Sequence, residues 1–245
     1  MLHDSIVHIY KTGTSTGTVS IITAGRVRGL EFPALIAKQI GCSLSHVIMP
    51  PKDASQPGFQ TIIVPRLAEH GPDVQVSSVD GMALDPGSLG MIQSKDCPIL
   101  VLVNTCTGRT VFAHAGRPAM TSSLECGSCY YTVINPAVKN ALSEGGVPDD
   151  LRAYIVAGIC QDCFEHDGAD ADQHLEHFRT FHQEMLTGPR SCLDLIGVIH
   201  KELTAMHGIA PEHITHDGLC TRCDGRLASK RGGDTDHNIV LVASR

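Results

Sequence analysis

The chain has 245 residues, with 26 Asp and Glu against 19 Lys and Arg, 10 Cys, no Trp and a formal net charge of -7. This acidic excess argues against the basic face that binds nucleic acid or an anionic membrane. The content of 42% hydrophobic and 18% charged residues excludes a disordered or coiled-coil chain. A chain of this length buries enough surface to fold without disulfides, so its cysteines require another explanation.

The predicted elements alternate irregularly between strands and helices. Runs rich in β-branched residues predict strands at 6–10, 19–22, 46–49, 61–64, 74–77, 99–103, 110–114, 154–159 and 239–242. Helices are predicted at 31–40, at 135–145 with Asn135 as cap and Pro136 in the first turn, at 173–186, and at 195–206 closed by Gly208. Segments 51–58 and 167–172 are predicted as surface loops. Since neither a repeat nor a linker is evident, we predict one α+β domain over residues 1–245, a mixed sheet flanked by helices.

The first residues carry no basic segment followed by an apolar run, and no run of about 18 apolar residues occurs. We therefore predict a cytoplasmic protein without a membrane segment. Six cysteines form three Cys-x-x-Cys pairs: Cys126/Cys129, Cys160/Cys163 and Cys220/Cys223. In a reducing compartment such pairs favour reduced thiols or a metal over structural disulfides.

The most informative segment is a predicted hairpin around a four-residue loop, 105–108. With that loop, His114 pairs with Ile99, so Cys97 and His114 project from one sheet face at the same end of the hairpin. A three-residue loop would put them on opposite faces. A thiol and an imidazole so placed suit either a metal or a Cys/His nucleophile pair. His70, in a turn before another strand, is the candidate third ligand, and two imidazoles with one thiolate would leave zinc one open position.

The sequence resembles the YfiH-type laccase-domain family, also called multicopper polyphenol oxidoreductase-like, in blocks that follow the family order from about residue 60 onward. Residues 95–98 (K-D-C-P) resemble the family motif A-D-C-x-P, and residues 113–116 (A-H-A-G) resemble A-H-A-G-W-R-G, with the family's 17-residue step from Cys to His. Weaker blocks are Glu69-His70-Gly71, Cys163-Phe164-Glu165, Leu193-Asp194-Leu195, Cys220-Thr221-Arg222-Cys223 and Ser229-Lys230-Arg231.

This resemblance implies a fold akin to the catalytic domain of cytotoxic necrotizing factor and carries the family's zinc ligands over to His70, Cys97 and His114. It implies an enzyme that acts on small molecules, with phosphorolysis of adenosine, inosine, guanosine or methylthioadenosine by phosphate and some adenosine deamination. Some members act as peptidoglycan editing factors. The family's Trp after A-H-A-G is absent, so Arg117 matches the family arginine with a one-residue gap, and Gly232 replaces the second arginine of S-Y-R-R. We expect Arg117 and Arg231 to bind substrate.

Other hypotheses stay open. Cys97 and His114 could act without metal, as in a cysteine hydrolase or an amidase of the peptidoglycan-editing type. The protein could also be a non-catalytic binding protein stabilised by metal. Two of the three Cys-x-x-Cys pairs could form a structural zinc site of four thiolates. Copper is less expected than zinc, because a multicopper centre commonly uses His-x-His pairs and none of the 14 histidines are two apart.

Overall fold

The computed structural model describes residues 6–27, 46–50, 60–63, 75–84, 86–121, 131–166 and 169–244. The strands in these ranges are β1 (Ile6–Thr14), β2 (Gly17–Val27), β3 (His46–Ile48), β4 (Ile62–Ile63), β5 (Gln75–Ser77), β6 (Gly81–Leu84), β7 (Leu89–Ser94), β8 (Ile99–Asn104), β9 (Thr110–His114), β10 (Leu151–Val156), β11 (Leu186–Thr187), β12 (Cys192–Leu193), β13 (Ile214–His216) and β14 (His237–Ser244). The α-helices are α1 (Ile134–Ala141), α2 (Ala169–Phe181) and α3 (Leu195–Ala205).

The strands form two six-stranded sheets and one short pair. The first sheet has the order β1-β2-β14-β7-β3-β5, the second has the order β13-β10-β8-β9-β6-β4, and β11 pairs with β12. Both large sheets contain parallel and antiparallel neighbours. Mixed sheets with few helices confirm the α+β prediction. No helix within the described ranges is long and apolar enough to cross a membrane.

Strand β8 shows how the apolar sequence pattern builds the core. All six of its residues are buried. Leu100 and Leu102 pack in a cluster with residues of α1 and α3, whereas Ile99, Val101 and Val103 pack against residues of the first sheet. A strand covered on both faces needs apolar side chains at every position. This accounts for the unbroken hydrophobic run from 99 to 103.

Several element boundaries differ from the sequence prediction. Helix α1 begins at Ile134 instead of following an Asn135 cap, and the hydroxyl of Thr132 accepts from the Ile134 N–H at 3.3 Å. Helix α2 begins at Ala169, inside the predicted loop 167–172, and ends at Phe181. Strand β10 ends at Val156 because Ala157 has φ +58°, outside the strand conformation. Helix α3 is capped by Asp194, whose carboxylate accepts from the Gly197 N–H at 2.8 Å.

The predicted helix at 31–40 and loop at 51–58 lie outside the described residues, and both stay predictions. The same holds for His70, Cys126 and Cys129.

Candidate active site and metal-ligating residues

Cys97 lies in the turn that links β7 of the first sheet to β8 of the second. Asp96, directly before it, has φ +67°, a left-handed conformation that turns the chain sharply. The Ser94 hydroxyl donates to the carbonyl oxygen of Cys97 at 2.5 Å. Pro98, which has no N–H to donate, precedes the first residue of β8. The thiol is therefore held at the mouth of the hairpin.

His114 lies at the end of β9, beside the first residue of β8 on the other strand of the hairpin. The observed register pairs Ile99 with His114, and the Asn104 N–H donates to the Arg109 carbonyl at 2.9 Å, as the four-residue loop predicts. The hairpin register is therefore confirmed. The His114 backbone N–H donates to the Asp80 carbonyl at 2.6 Å, and the His114 Nδ1 lies 3.1 Å from Asp80 Oδ1.

Asp80 fixes the orientation of the His114 ring. Its side chain is 2% exposed, and its second carboxylate oxygen accepts from the Gln60 N–H at 2.6 Å. With Nδ1 turned toward this carboxylate, Nε2 faces Cys97. Burial alone would lower the pKa of His114, but its interactions with Cys97 and Asp80 raise that pKa to about 10. A proton and a metal ion would therefore compete for Nε2.

Gly116 packs closely against the thiol and the imidazole. A Cβ placed on Gly116 would lie 2.8 Å from Nε2 of His114 and 3.0 Å from Sγ of Cys97. Both donor atoms are thus within about 3 Å of one point beside the Gly116 backbone, so they lie close together. Thiolate sulfur and imidazole nitrogen are donors that zinc prefers. The pair fits two of the three predicted ligands; the third, His70, lies outside the described residues.

A cavity of about 410 Å³ contains this pair in its lining, together with four cationic side chains and the carboxylates of Asp80 and Asp96. The four cationic side chains are those of Lys95, Arg117, Lys230 and Arg231, and Phe164 also lines the cavity. The guanidinium carbon of Arg231 stacks 4.8 Å from the centre of the Phe164 ring. Both predicted substrate-binding arginines therefore line the same cavity as Cys97 and His114.

His166 adds a neutral imidazole close to these arginines. It is buried, and its ring lies 4.6 Å from that of Phe164. Burial, followed by the nearby Arg117 and Arg231 cations, lowers the pKa of His166 to about 4. The ring is therefore uncharged at neutral pH.

Asp96, which lines the cavity, forms hydrogen bonds with two residues from the C-terminal part of the chain. One carboxylate oxygen accepts from the Thr221 hydroxyl at 2.7 Å, and the other accepts from the Arg231 backbone N–H at 3.0 Å. The Asp96 carbonyl accepts from the Ile159 N–H at 2.9 Å. With its oxygens occupied in this way, Asp96 positions Arg231 and the turn that carries Thr221.

A second group of metal-ligand types lies where the turns after β10 and β13 meet. The sulfur atoms of Cys160, Cys163, Cys220 and Cys223 all lie within 4.8 Å of one another, so this cluster could hold a metal ion. Burial and the neighbouring thiols of Cys223 and Cys160 raise the pKa of Cys163. Burial alone would also raise the pKa of Cys220. Hydrogen bonds from backbone N–H groups to its sulfur, the strongest from Cys160, outweigh burial and lower this pKa to about 7.

Sequence reasoning missed Asp80, Lys95 and Lys230, which line the cavity, and His166, whose ring contacts the lining residue Phe164. Asp80 reaches His114 only because β6, which follows it, pairs with β9, and no local pattern reports that pairing. Lys95 and Lys230 fall inside the quoted motif blocks, so their positions beside Asp96 and Arg231 were the available signal.

This chain is similar in sequence to a known protein family and to one curated protein. The family model described as multi-copper polyphenol oxidoreductase laccase matches residues 52–237. An adenosine deaminase designated RL5, from an unknown prokaryotic organism, is 23% identical over 214 residues, which cover 81% of this chain and 74% of that protein.

Solved structures share the fold. The crystal structure of the hypothetical protein YfiH from Bacillus licheniformis matches with a TM-score of 0.70 at 18% identity, over 93% of this chain and 92% of that one. A Neisseria meningitidis protein matches with a TM-score of 0.69 at 14% identity, over 98% of this chain and 99% of that one.

Proposed function

The chain belongs to the multi-copper polyphenol oxidoreductase laccase family, and on that premise we propose that it is a zinc-dependent enzyme acting on purine nucleosides. The observation that carries the proposal is the proximity of the Cys97 thiol to the His114 imidazole beside Gly116, in the lining of a cavity that also contains four cationic side chains. The relative named as an adenosine deaminase supports the substrate class.

In this proposal His70, Cys97 and His114 hold the ion. When bound, zinc supplies a Lewis acid that polarises an oxygen atom in the cavity. Asp80 holds the proton on Nδ1 of His114 and so presents Nε2 as a donor atom, the usual role of a carboxylate behind a metal-binding histidine. The set of two imidazoles and one thiolate also suits copper, so both metals must be measured.

The cationic lining favours a reaction with an anionic second substrate. In phosphorolysis, a phosphate oxygen forms a bond to the anomeric carbon of the ribose while the bond to the base nitrogen breaks, and the base leaves with a proton. Arg117 and Arg231 would orient that phosphate through charge-assisted hydrogen bonds. In deamination, water replaces the amino group of adenosine and ammonia leaves, and no phosphate is consumed.

Metal content and turnover measured together test the proposal. We expect zinc in the unmodified chain, and base release from adenosine or inosine that requires phosphate, or inosine formation from adenosine without it. Cys97→Ala should lose one zinc equivalent and the activity. Cys106→Ala is the matched control, because Cys106 is an exposed thiol in the β8–β9 turn. Undiminished turnover by Cys97→Ala would contradict the assignment of the site.

A second candidate function rests on the same geometry. In this candidate function Cys97 is the nucleophile, His114 is its base and Asp80 is the carboxylate that orients the base, the arrangement that a metal-free cysteine hydrolase uses. In that case iodoacetamide should abolish activity, a strong chelator should leave it unchanged, and Asp80→Asn should reduce turnover without any change in metal content. Zinc that is lost in Cys97→Ala, without turnover of any purine nucleoside by the unmodified chain, would contradict both candidates and favour a metal-stabilised binding protein.

A further inference from the structure

The four-cysteine cluster has the dimensions of a tetrahedral metal site. Zinc–sulfur bonds of about 2.3 Å give a tetrahedron with sulfur–sulfur edges of about 3.8 Å. The sulfur atoms of Cys163 and Cys223 are 3.4 Å apart, and all four lie within 4.8 Å of one another. One ion at the centre would need shifts of less than about 1 Å in the sulfur positions.

Two turns present these sulfurs and are already linked by their backbones. The Cys163 N–H donates to the Cys160 carbonyl at 3.1 Å, and the Asp224 N–H donates to the Cys220 carbonyl at 2.9 Å. Between the turns, the Thr221 N–H donates to the Gly158 carbonyl at 3.0 Å, and the Cys160 N–H donates to the Cys220 sulfur at 3.3 Å. These contacts hold the sulfurs in place before any ion arrives.

We propose that Cys160, Cys163, Cys220 and Cys223 bind a structural Zn²⁺ ion, separate from the one assigned to Cys97 and His114. On binding, the four thiols become thiolates and their protons pass to solvent. Four sulfur ligands leave no open position for a reactant, which is the pattern of a structural zinc site.

The position of this site indicates which part of the active-site cavity the ion would stabilise. Thr221, between two of the ligands, donates to Asp96, and Asp96 accepts from the backbone of Arg231. Phe164, directly after Cys163, stacks with the Arg231 side chain. The ion would therefore fix the two turns that position the cationic wall of the active-site cavity, and its loss should loosen that wall.

Zinc stoichiometry separates the two sites. The full chain is purified under reducing conditions, and zinc is measured in the unmodified protein, Cys223→Ser, Cys97→Ala and Cys106→Ser. We expect Cys223→Ser and Cys97→Ala each to lose one equivalent, and Cys106→Ser to lose none. A loss in Cys97→Ala alone would overturn the structural site while supporting the proposed function, and a loss in Cys223→Ser alone would do the reverse.

Thiol reactivity of the unmodified protein tests the proposal even if Cys223→Ser fails to fold. Five thiols should react with a chromogenic disulfide reagent only as a chelator removes two equivalents of zinc: the four thiols of this site with one ion, and Cys97 with the ion of the active site. The melting temperature should fall when that zinc is removed and recover when it is added back. Immediate reaction of nine or more of the ten thiols, or disulfides among these four cysteines after reducing purification, would overturn the proposal.

Discussion

Replacing Gly116 with alanine would place a methyl group against both Cys97 and His114. The new carbon would lie 2.6 Å from Cε1 and 2.8 Å from Nε2 of His114, and 3.0 Å from the Cys97 sulfur. Non-bonded carbon contacts are comfortable at about 3.5 Å or more, so each of these contacts is too short by between about half an ångström and one ångström. We expect the free energy of unfolding to fall by about 1–3 kcal/mol, the usual cost of overpacking.

The larger effect should fall on metal binding. Zinc lies about 2.0–2.1 Å from nitrogen and about 2.3 Å from sulfur. The methyl group would lie within 3.0 Å of both donor atoms, so it should crowd an ion that they share. We expect zinc affinity at this site to drop at least tenfold, by competitive titration against a chromogenic chelator, with one equivalent lost from the purified protein. Gly13→Ala is the control, because no atom lies within 4 Å of its added carbon. Unchanged zinc affinity in Gly116→Ala would refute the assigned position of the ion.

Two further predictions follow from the same structure. Asp80→Asn should weaken zinc binding at His114 by about 10–100-fold in a chelator competition, the usual effect of losing a carboxylate partner, and wild-type affinity would contradict its orienting role. His166, His177 and His182 are buried, with pKa values lowered to about 4, chiefly by burial. In the unfolded chain these imidazoles become protonated at about pH 6.5, whereas in the folded chain they stay neutral down to about pH 4. The free energy of unfolding should therefore be highest above pH 6.5 and fall between pH 6.5 and pH 4, by up to about 1.4 kcal/mol per pH unit for each imidazole. Urea unfolding at stepped pH should show this slope, and His177→Phe should reduce it; an identical slope in both proteins would contradict the prediction.

Local patterns predicted much of the fold because the features concerned are local. The β8–β9 hairpin follows from two apolar runs around a four-residue loop, and its register pairs Ile99 with His114, which places His114 at the same end of the hairpin as Cys97. By contrast, β6 and β7 were missed, because Gly81, Gly90 and Gln93 interrupt the apolar pattern. Their burial comes from neighbouring strands that are distant in sequence.

The candidate site was predicted only as far as its chemistry lies in short motifs. Cys-x-x-Cys spacing indicated metal binding, but which pairs meet depends on the parallel pairing of β10 with β13, which brings the turns that follow these strands together. Asp80 carries no local signal, because its partner is 34 residues away on another strand. The pairing of strands that are distant in sequence determines both which cysteine pairs meet and which carboxylate contacts His114.

The place of β14 in the first sheet affects how the protein can assemble during synthesis. This strand lies between β2 and β7, yet it leaves the ribosome about 210 residues after β2. All strands of the second sheet fall between residues 62 and 216, so that sheet can pair earlier. Until β14 emerges, β2 and β7 each present an unpaired edge, the kind of surface on which nascent chains associate wrongly. A translational pause before residue 237 should therefore increase the requirement for chaperones.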